Sequence, residues 1–205
     1  MPARHLVLGI DGGTESLRAG LFDAASGAPL AFGVAPYPTT FPHPSWAEQQ
    51  PDDWWEALGA AVRSALSQAG AAAADVAALA LDTTCCTVVA LDAEHRPLRP
   101  ALLWMDVRAS AEADAVAACG DAALRVNGGG QAPVSAEWML PKALWLKRHE
   151  PGVWAAAKTL CEYQDYLNLR LTGRRVASVN NASVRWHYST ATGACGRRRP
   201  SQAGS

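Results

Sequence analysis

The first forty positions alternate short apolar runs with small polar turns, a pattern of strands rather than of helix. Leu6-Val7-Leu8-Gly9-Ile10 reads as a buried strand, and Leu17-Arg18-Ala19-Gly20-Leu21-Phe22 as a second with rough alternation. Asp23 to Gly27 turns the chain into a third strand, Pro29 to Tyr37, and the three together predict an antiparallel meander. Pro36, Pro38, Pro42 and Pro44 then impose extended backbone.

The period changes at Pro51 or Asp52. Asp52, Asp53 and Glu56 crowd a first helical turn, and Trp55, Leu58, Val62 and Leu66 recur at helical spacing. Val76 to Leu81 is read as a strand ending at Asp82-Thr83-Thr84-Cys85-Cys86, and Thr87 to Leu91 as another. Asp92 to Arg96 makes a turn into an extended run, Leu98 to Trp104. An alanine-rich helix to about Cys119 and a loop at Asn127 to Gln131 follow. A helix over Trp138 to His149 then carries Leu140, Leu144 and Trp145 on one side. Pro151 to Ala157 is a short helical turn, and Tyr163 to Leu171 is a helix closed by Gly173. A strand-helix-strand order followed by hairpins predicts the α/β class, a mixed sheet with flanking helices. Residues 1–190 are expected to form one domain and 191–205 a disordered basic tail, because the chain loses its periodicity there.

Composition narrows the function classes. The 205 residues are 49% hydrophobic with a net charge of -1, which fits a globular protein and argues against a general nucleic-acid binder. No apolar run reaches the ~18 residues of a membrane span. Five cysteines, at 85, 86, 119, 161 and 195, form no C-x-x-C pair and are odd in number, which suits a reducing compartment. The expectation is a cytoplasmic protein, or a plastid one if a transit peptide precedes this sequence.

The candidate chemistry concentrates in Asp11-Gly12-Gly13-Thr14-Glu15-Ser16, between the first two strands. Glycine lets a large anion approach backbone N–H groups, and Thr14 and Ser16 add hydroxyls, so the turn can wrap a phosphate. Asp11 supplies an anionic oxygen able to hold Mg²⁺, directly or through water. The alternative is an ordinary hairpin whose glycines serve positive φ. The stretch is not a Walker A loop, which needs a Lys, nor a dinucleotide fingerprint, which opens a helix.

In order along the chain stand D-G-G-T-E-S-x-R, P-x-W-A-E-Q-x-P-x-x-W-W, L-R-P-A-L-L-W-M-D-x-R, P-K-A-L-W-L-K-x-x-E-P and L-T-G. This series resembles the FGGY carbohydrate kinases from about Leu6 to Ser189. Asp82-Thr83-Thr84-Cys85-Cys86-Thr87 and Trp104-Met105-Asp106 look more like the ribulokinases and related pentulose kinases than the glycerol kinases, which carry an Arg-Glu pair at the place of Cys85-Cys86.

The resemblance implies a ribonuclease H-like fold of the actin and sugar-kinase superfamily. It also implies transfer of the ATP γ-phosphate, with Mg²⁺, to a terminal hydroxyl of a pentulose, D-ribulose first and D-xylulose next. Under it Asp11 is the metal-linked aspartate, and Gly12, Gly13, Thr14, Ser16 and Arg18 face the phosphates. Cys85, Cys86, Asp106, Arg108 and Lys142 face the sugar. Competing accounts stay open: Arg18 as a surface arginine, the cysteine pair as small buried hydrophobes, Asp106 and Arg108 as an ordinary salt bridge, Lys142 as a solvated helix residue, and Asp165 as a helix cap.

Family members place their catalytic aspartate beyond the last motif matched here, so no catalytic base is expected in this chain. The chain is expected to be the incomplete sugar-side domain, inactive alone, with sugar and ATP as its only partners and homodimerisation possible in a full-length protein. The alternatives are a non-catalytic sugar- or phosphate-binding module and, more remotely, a redox or metal role for Cys85-Cys86.

Overall fold

The computed structural model describes residues 5–125, 131, 133–189 and 194–195. Strands β1 (Leu6–Gly12), β2 (Ser16–Asp23) and β3 (Pro29–Pro36) form the expected antiparallel meander. A two-residue strand β4 (Glu48–Gln49) precedes helix α1 (Pro51–Ala69), which closes on Gly70 in the left-handed conformation. The chain returns as β5 (Val76–Thr83), parallel to β1, and completes a mixed sheet of order β3-β2-β1-β5. Three antiparallel strands followed through a helix by a parallel fourth is the ribonuclease H-like arrangement.

Strand β6 (Val88–Leu91) leaves that sheet. With β7 (Ala101–Leu102) and β8 (Thr159–Glu162) it builds a second, antiparallel sheet of order β4-β7-β6-β8. Among the described residues this second four-stranded sheet stands beside the expected mixed one, and β4 and β8 were not foreseen, being too short to show alternation. The extended run from Leu98 to Trp104 contributes only Ala101–Leu102. Every residue of β6 is buried, because Val89 and Leu91 face one core and Val88 and Ala90 the other.

Helices α2 (Ser110–Ala118), α3 (Met139–His149) and α4 (Pro151–Ala156) follow β7, and α5 (Tyr163–Thr172) follows β8 and is capped by Gly173 at φ 69°. A short α6 (Val179–Arg185) ends the helical part. Two residues of the expected tail are ordered into a strand: β10 (Ala194–Cys195) pairs with β9 (Tyr188–Ser189). The rest of the expected tail and the loop from Asn127 to Gly130 lie outside the described residues.

Helix α1 packs on the meander along Trp54, Ala57, Leu58, Ala61 and Ala65; of the expected stripe Leu58 is buried, while Trp55, Val62 and Leu66 lie one position from the contact line and are only partly buried. The reason is proximity. A Cβ at Gly33 would collide with the Ala61 carbonyl, so the contact line belongs to alanines and the larger side chains flank it. A similar reversal occurs in α3, where Leu140 is exposed while Lys142 is fully buried. α5 joins α1 on the same side of the first sheet through Trp54, whose ring lies 4.0 Å from that of Tyr163. The opposite side of that sheet is uncovered among the described residues, with Phe32 and Val34 each more than half exposed.

Candidate functional site

Asp11 and Gly12 end β1, and the hairpin closes with the Gly13 N–H donating to the Ser16 carbonyl at 3.0 Å. Neither Gly12 nor Gly13 adopts positive φ, so the ordinary-hairpin explanation for them fails. Close approach accounts for Gly12, while Gly13 stands against the end of a flexible arginine. A Cβ at Gly12 would stand 2.8 Å from the Tyr163 ring and 2.9 Å from a Thr83 methyl, and one at Gly13 would meet the Arg18 guanidinium.

The turn is held from outside by side chains distant in sequence. The Tyr37 hydroxyl donates to the Gly13 carbonyl at 2.5 Å, and since its one proton is used there, the Tyr163 hydroxyl donates to Tyr37 across 3.1 Å. Burial pushes both phenols above their ordinary pKa, so both stay protonated. Gln49 donates to the Thr14 carbonyl at 2.6 Å, and its own oxygen is fixed by the Trp54 indole at 2.8 Å. The Trp104 indole donates to Thr14 Oγ1 at 3.1 Å, leaving the Thr14 hydroxyl proton available to a ligand. Tyr37, Gln49, Trp104 and Tyr163 were not expected at the site. Only Gln49 and Trp104 sit inside the quoted family motifs, and nothing local marks the two tyrosines.

Asp11 lies opposite Arg18 in the β1–β2 register and pairs with it at 3.0 Å, both side chains being half exposed or more. On its other side Asp11 registers with Asp82 of β5. Asp11, Arg18 and Asp82 share a groove of about 600 Å³ with Gly9, Gly20 and Phe32. For the metal implied by the resemblance the donor set fits in part: Mg²⁺ is ordinarily held by one or two carboxylates together with substrate phosphate and water. Asp11 and Asp82 supply the carboxylates, and among the described residues no cluster of three metal-binding side chains exists. Among the described residues no side-chain hydrogen bond to Ser16, at the start of β2, is present.

The loop after β5 is tied to this hairpin by the Thr84 N–H, which donates to the Gly12 carbonyl at 2.9 Å. Cys86 takes a left-handed φ of 66°. Its N–H donates to Glu162 Oε2 at 3.0 Å and its carbonyl accepts from Lys142 Nζ at 2.8 Å, so the Cys86 backbone is gripped at both ends. Lys142 also donates to the Leu103 carbonyl at 2.5 Å, and burial pulls its pKa down to about 8. Burial likewise raises Glu162 to about 7. Asn181 donates to the same Glu162 oxygen at 3.1 Å. Cys85 is half-buried and Cys86 buried.

Asp106 and Arg108, expected to face sugar, have no exposed side-chain surface. Arg108 is bidentate to Asp106, bonds Glu48 at 2.7 Å and lies 3.7 Å over the Trp46 ring, while Asp106 also accepts the Ala47 N–H at 2.7 Å. This is the geometry of the buried salt bridge held open as the competing account. Asp165 likewise behaves as the helix cap, accepting the Glu162 and Ser178 N–H groups.

Residues 6–194 match the FGGY family of carbohydrate kinases, N-terminal domain, and the chain belongs to that family. It is 37% identical over 188 residues to a xylulose kinase of Streptomyces coelicolor, covering 91% of this chain and 38% of that protein. To a ribulokinase of Geobacillus thermodenitrificans it is 32% identical, covering 90% and 37%. The crystal structure of a xylulose kinase from Rhodospirillum rubrum superimposes with a TM-score of 0.82 at 30% identity, over 92% of this chain and 38% of that one. The expected superfamily fold is therefore present, and the chain spans under two fifths of the length of these relatives.

Proposed function

We propose that this chain forms the sugar-side part of an ATP-dependent pentulose kinase, holding the sugar and the transferring phosphoryl group side by side. One observation carries the reading: the glycine hairpin and the Cys85–Cys86 loop are joined at the Thr84–Gly12 hydrogen bond, so two expected ligand loops meet at the ends of adjacent parallel strands. Gly12, Gly13, Thr14 and Ser16 present N–H and hydroxyl donors to phosphate oxygens, and Arg18 adds a cation beside them. Asp11, with Asp82 next to it, would hold Mg²⁺, whose contribution is to neutralise charge on the phosphate oxygens.

Cys85 and Cys86 line the sugar side. Lys142, expected to face the sugar, is fully buried, and together with Glu162 it fixes the backbone of that loop instead of offering its ammonium to the ligand. Asp106 and Arg108 hold the Trp46–Ala47 segment and the strand end behind the site. The reading assigns proton abstraction from the sugar hydroxyl to no residue of this chain.

The motifs favour D-ribulose, while the xylulose kinase relatives favour D-xylulose. A coupled ADP-release assay with D-ribulose, D-xylulose, L-ribulose and glycerol decides between them, run on this chain and on any longer product of the same reading frame. Turnover confined to a longer product, and abolished there by Asp11→Asn, is the expected result. Pentulose binding without turnover in any form would favour the non-catalytic module, and turnover by the 205-residue chain alone would overturn the assignment of no base.

A further inference from the structure

The Cys85 and Cys86 sulfurs stand 3.7 Å apart, the Cys86 S–H directed at the Cys85 sulfur. Both thiols are free, and they differ in access: Cys85 is half-buried and Cys86 buried. Elsewhere in the chain Cys161 is enclosed in β8, Cys119 is exposed at the end of α2 and Cys195 ends β10. The backbone between the pair is unusual for a non-glycine residue, since Cys86 sits at φ 66°. That conformation is imposed from outside, through Glu162 on the Cys86 N–H and Lys142 on its carbonyl.

We infer that Cys85 and Cys86 form a reversible vicinal disulfide, closed by a small-molecule disulfide such as oxidised glutathione and reopened by thiols. The chemistry does not depend on whether the loop touches sugar. In the first step the Cys85 thiolate attacks one sulfur of oxidised glutathione, forming a mixed disulfide and releasing one glutathione thiolate. In the second the Cys86 sulfur gives up its proton and attacks the Cys85 sulfur, releasing the second. Two protein thiols are oxidised and one glutathione disulfide is reduced to two thiols.

The half-exposed Cys85 is the sulfur the oxidant can reach. Burial, reinforced by the neighbouring sulfur, pushes the Cys86 thiol up to about 12, which makes the second step the slow one. Adjacent Cα atoms lie only ~3.8 Å apart, below the usual span of a disulfide, so the ring is strained and opens readily to thiols. Closure turns the peptide unit whose neighbouring N–H and carbonyl Glu162 and Lys142 hold. It therefore couples thiol redox state to the shape of the loop following β5.

The experiment equilibrates the 205-residue chain across ratios of reduced to oxidised glutathione, quenches in acid, alkylates with N-ethylmaleimide and maps by mass spectrometry. The tryptic peptide 64–108 contains these two cysteines and no other, because Arg96 and Arg99 each precede a proline. The expected product is that peptide lighter by two hydrogen atoms and unalkylated, restored in full by dithiothreitol. Cys86→Ser should instead accumulate a glutathione adduct on Cys85, the trapped first intermediate, and Cys85→Ser should yield neither product. A lasting glutathione adduct on Cys85 in the unsubstituted chain would overturn the inference. So would two alkylatable thiols at every ratio, or a bridge from either residue to Cys119, Cys161 or Cys195.

Discussion

The Tyr37 hydroxyl donates to the Gly13 carbonyl across 24 positions of sequence, at 2.5 Å, and so fixes the turn between β1 and β2 from the far end of the meander. Tyr163 completes the chain of hydroxyls from the start of α5. The two phenols have different consequences when removed. Tyr163→Phe loses one hydrogen bond and should cost about 1 kcal/mol, whereas Tyr37→Phe leaves a buried carbonyl without its donor and should cost about 1–3 kcal/mol. Urea denaturation of the two variants checks the order, and equal costs would mean that Gly13 does not rely on Tyr37.

Gly12→Ala places a methyl group 2.8 Å from the buried Tyr163 ring and 2.9 Å from a Thr83 methyl. A loss of about 1–3 kcal/mol is expected from overpacking. Gly152→Ala is the control, since a Cβ there meets open space within α4, and it should be neutral or stabilising by up to about 1 kcal/mol. Thermal melts of both proteins make the comparison.

Glu162 sets a pH dependence. Its pKa rises from 4.5 unfolded to about 7 folded, with burial the main cause. The native state therefore binds more protons than the unfolded one between these values, and the stability linked to this group is full below pH ~4.5 and is lost as pH climbs through ~7. Glu162→Gln removes that loss. Relative to the unsubstituted protein, the variant should gain on the order of 2–3 kcal/mol in going from pH 4.5 to pH 8, read from urea midpoints at each pH. A constant difference across the range would show that Glu162 does not change its proton occupancy on folding.

The bare side of the first sheet makes a prediction about behaviour in solution. Phe32 and Val34 protrude from β3 on the side of the sheet that no helix covers among the described residues, and an apolar surface of that kind drives association. Phe32→Thr with Val34→Thr should lower the weight-average mass in sedimentation at high concentration and reduce binding of an apolar dye. Stability should change by less than about 1 kcal/mol, since both side chains are already half exposed or more.

The meander, α1, the Gly173 cap and the glycine turn between β1 and β2 were legible because each rests on a local rule: period two, period 3.6, a glycine after a helix, two glycines beside hydroxyls. Strands β4 and β8 were not, since two or four residues carry no period, and both exist only because β6 and β7 offer them edges. The site divides the same way. Asp11, the glycines and Thr14 stand out by composition, but the exchange of roles at Lys142 and Leu140 does not. There a lysine is buried because two carbonyls, of Cys86 and Leu103, converge on its nitrogen, while a leucine on the same helix faces outward.

By itself the sequence determined the family, the order of the main elements and the turn that can take a phosphate, because these depend on residues near one another in the chain. Only the tertiary structure decided that Gly12 serves close packing rather than positive φ, that Asp106 and Arg108 are buried against Glu48, and that the Cys86 backbone is gripped by Glu162 and Lys142. Each of these depends on groups tens of residues apart meeting within about 3 Å, and no spacing in the chain encodes such a meeting until the two sheets have packed.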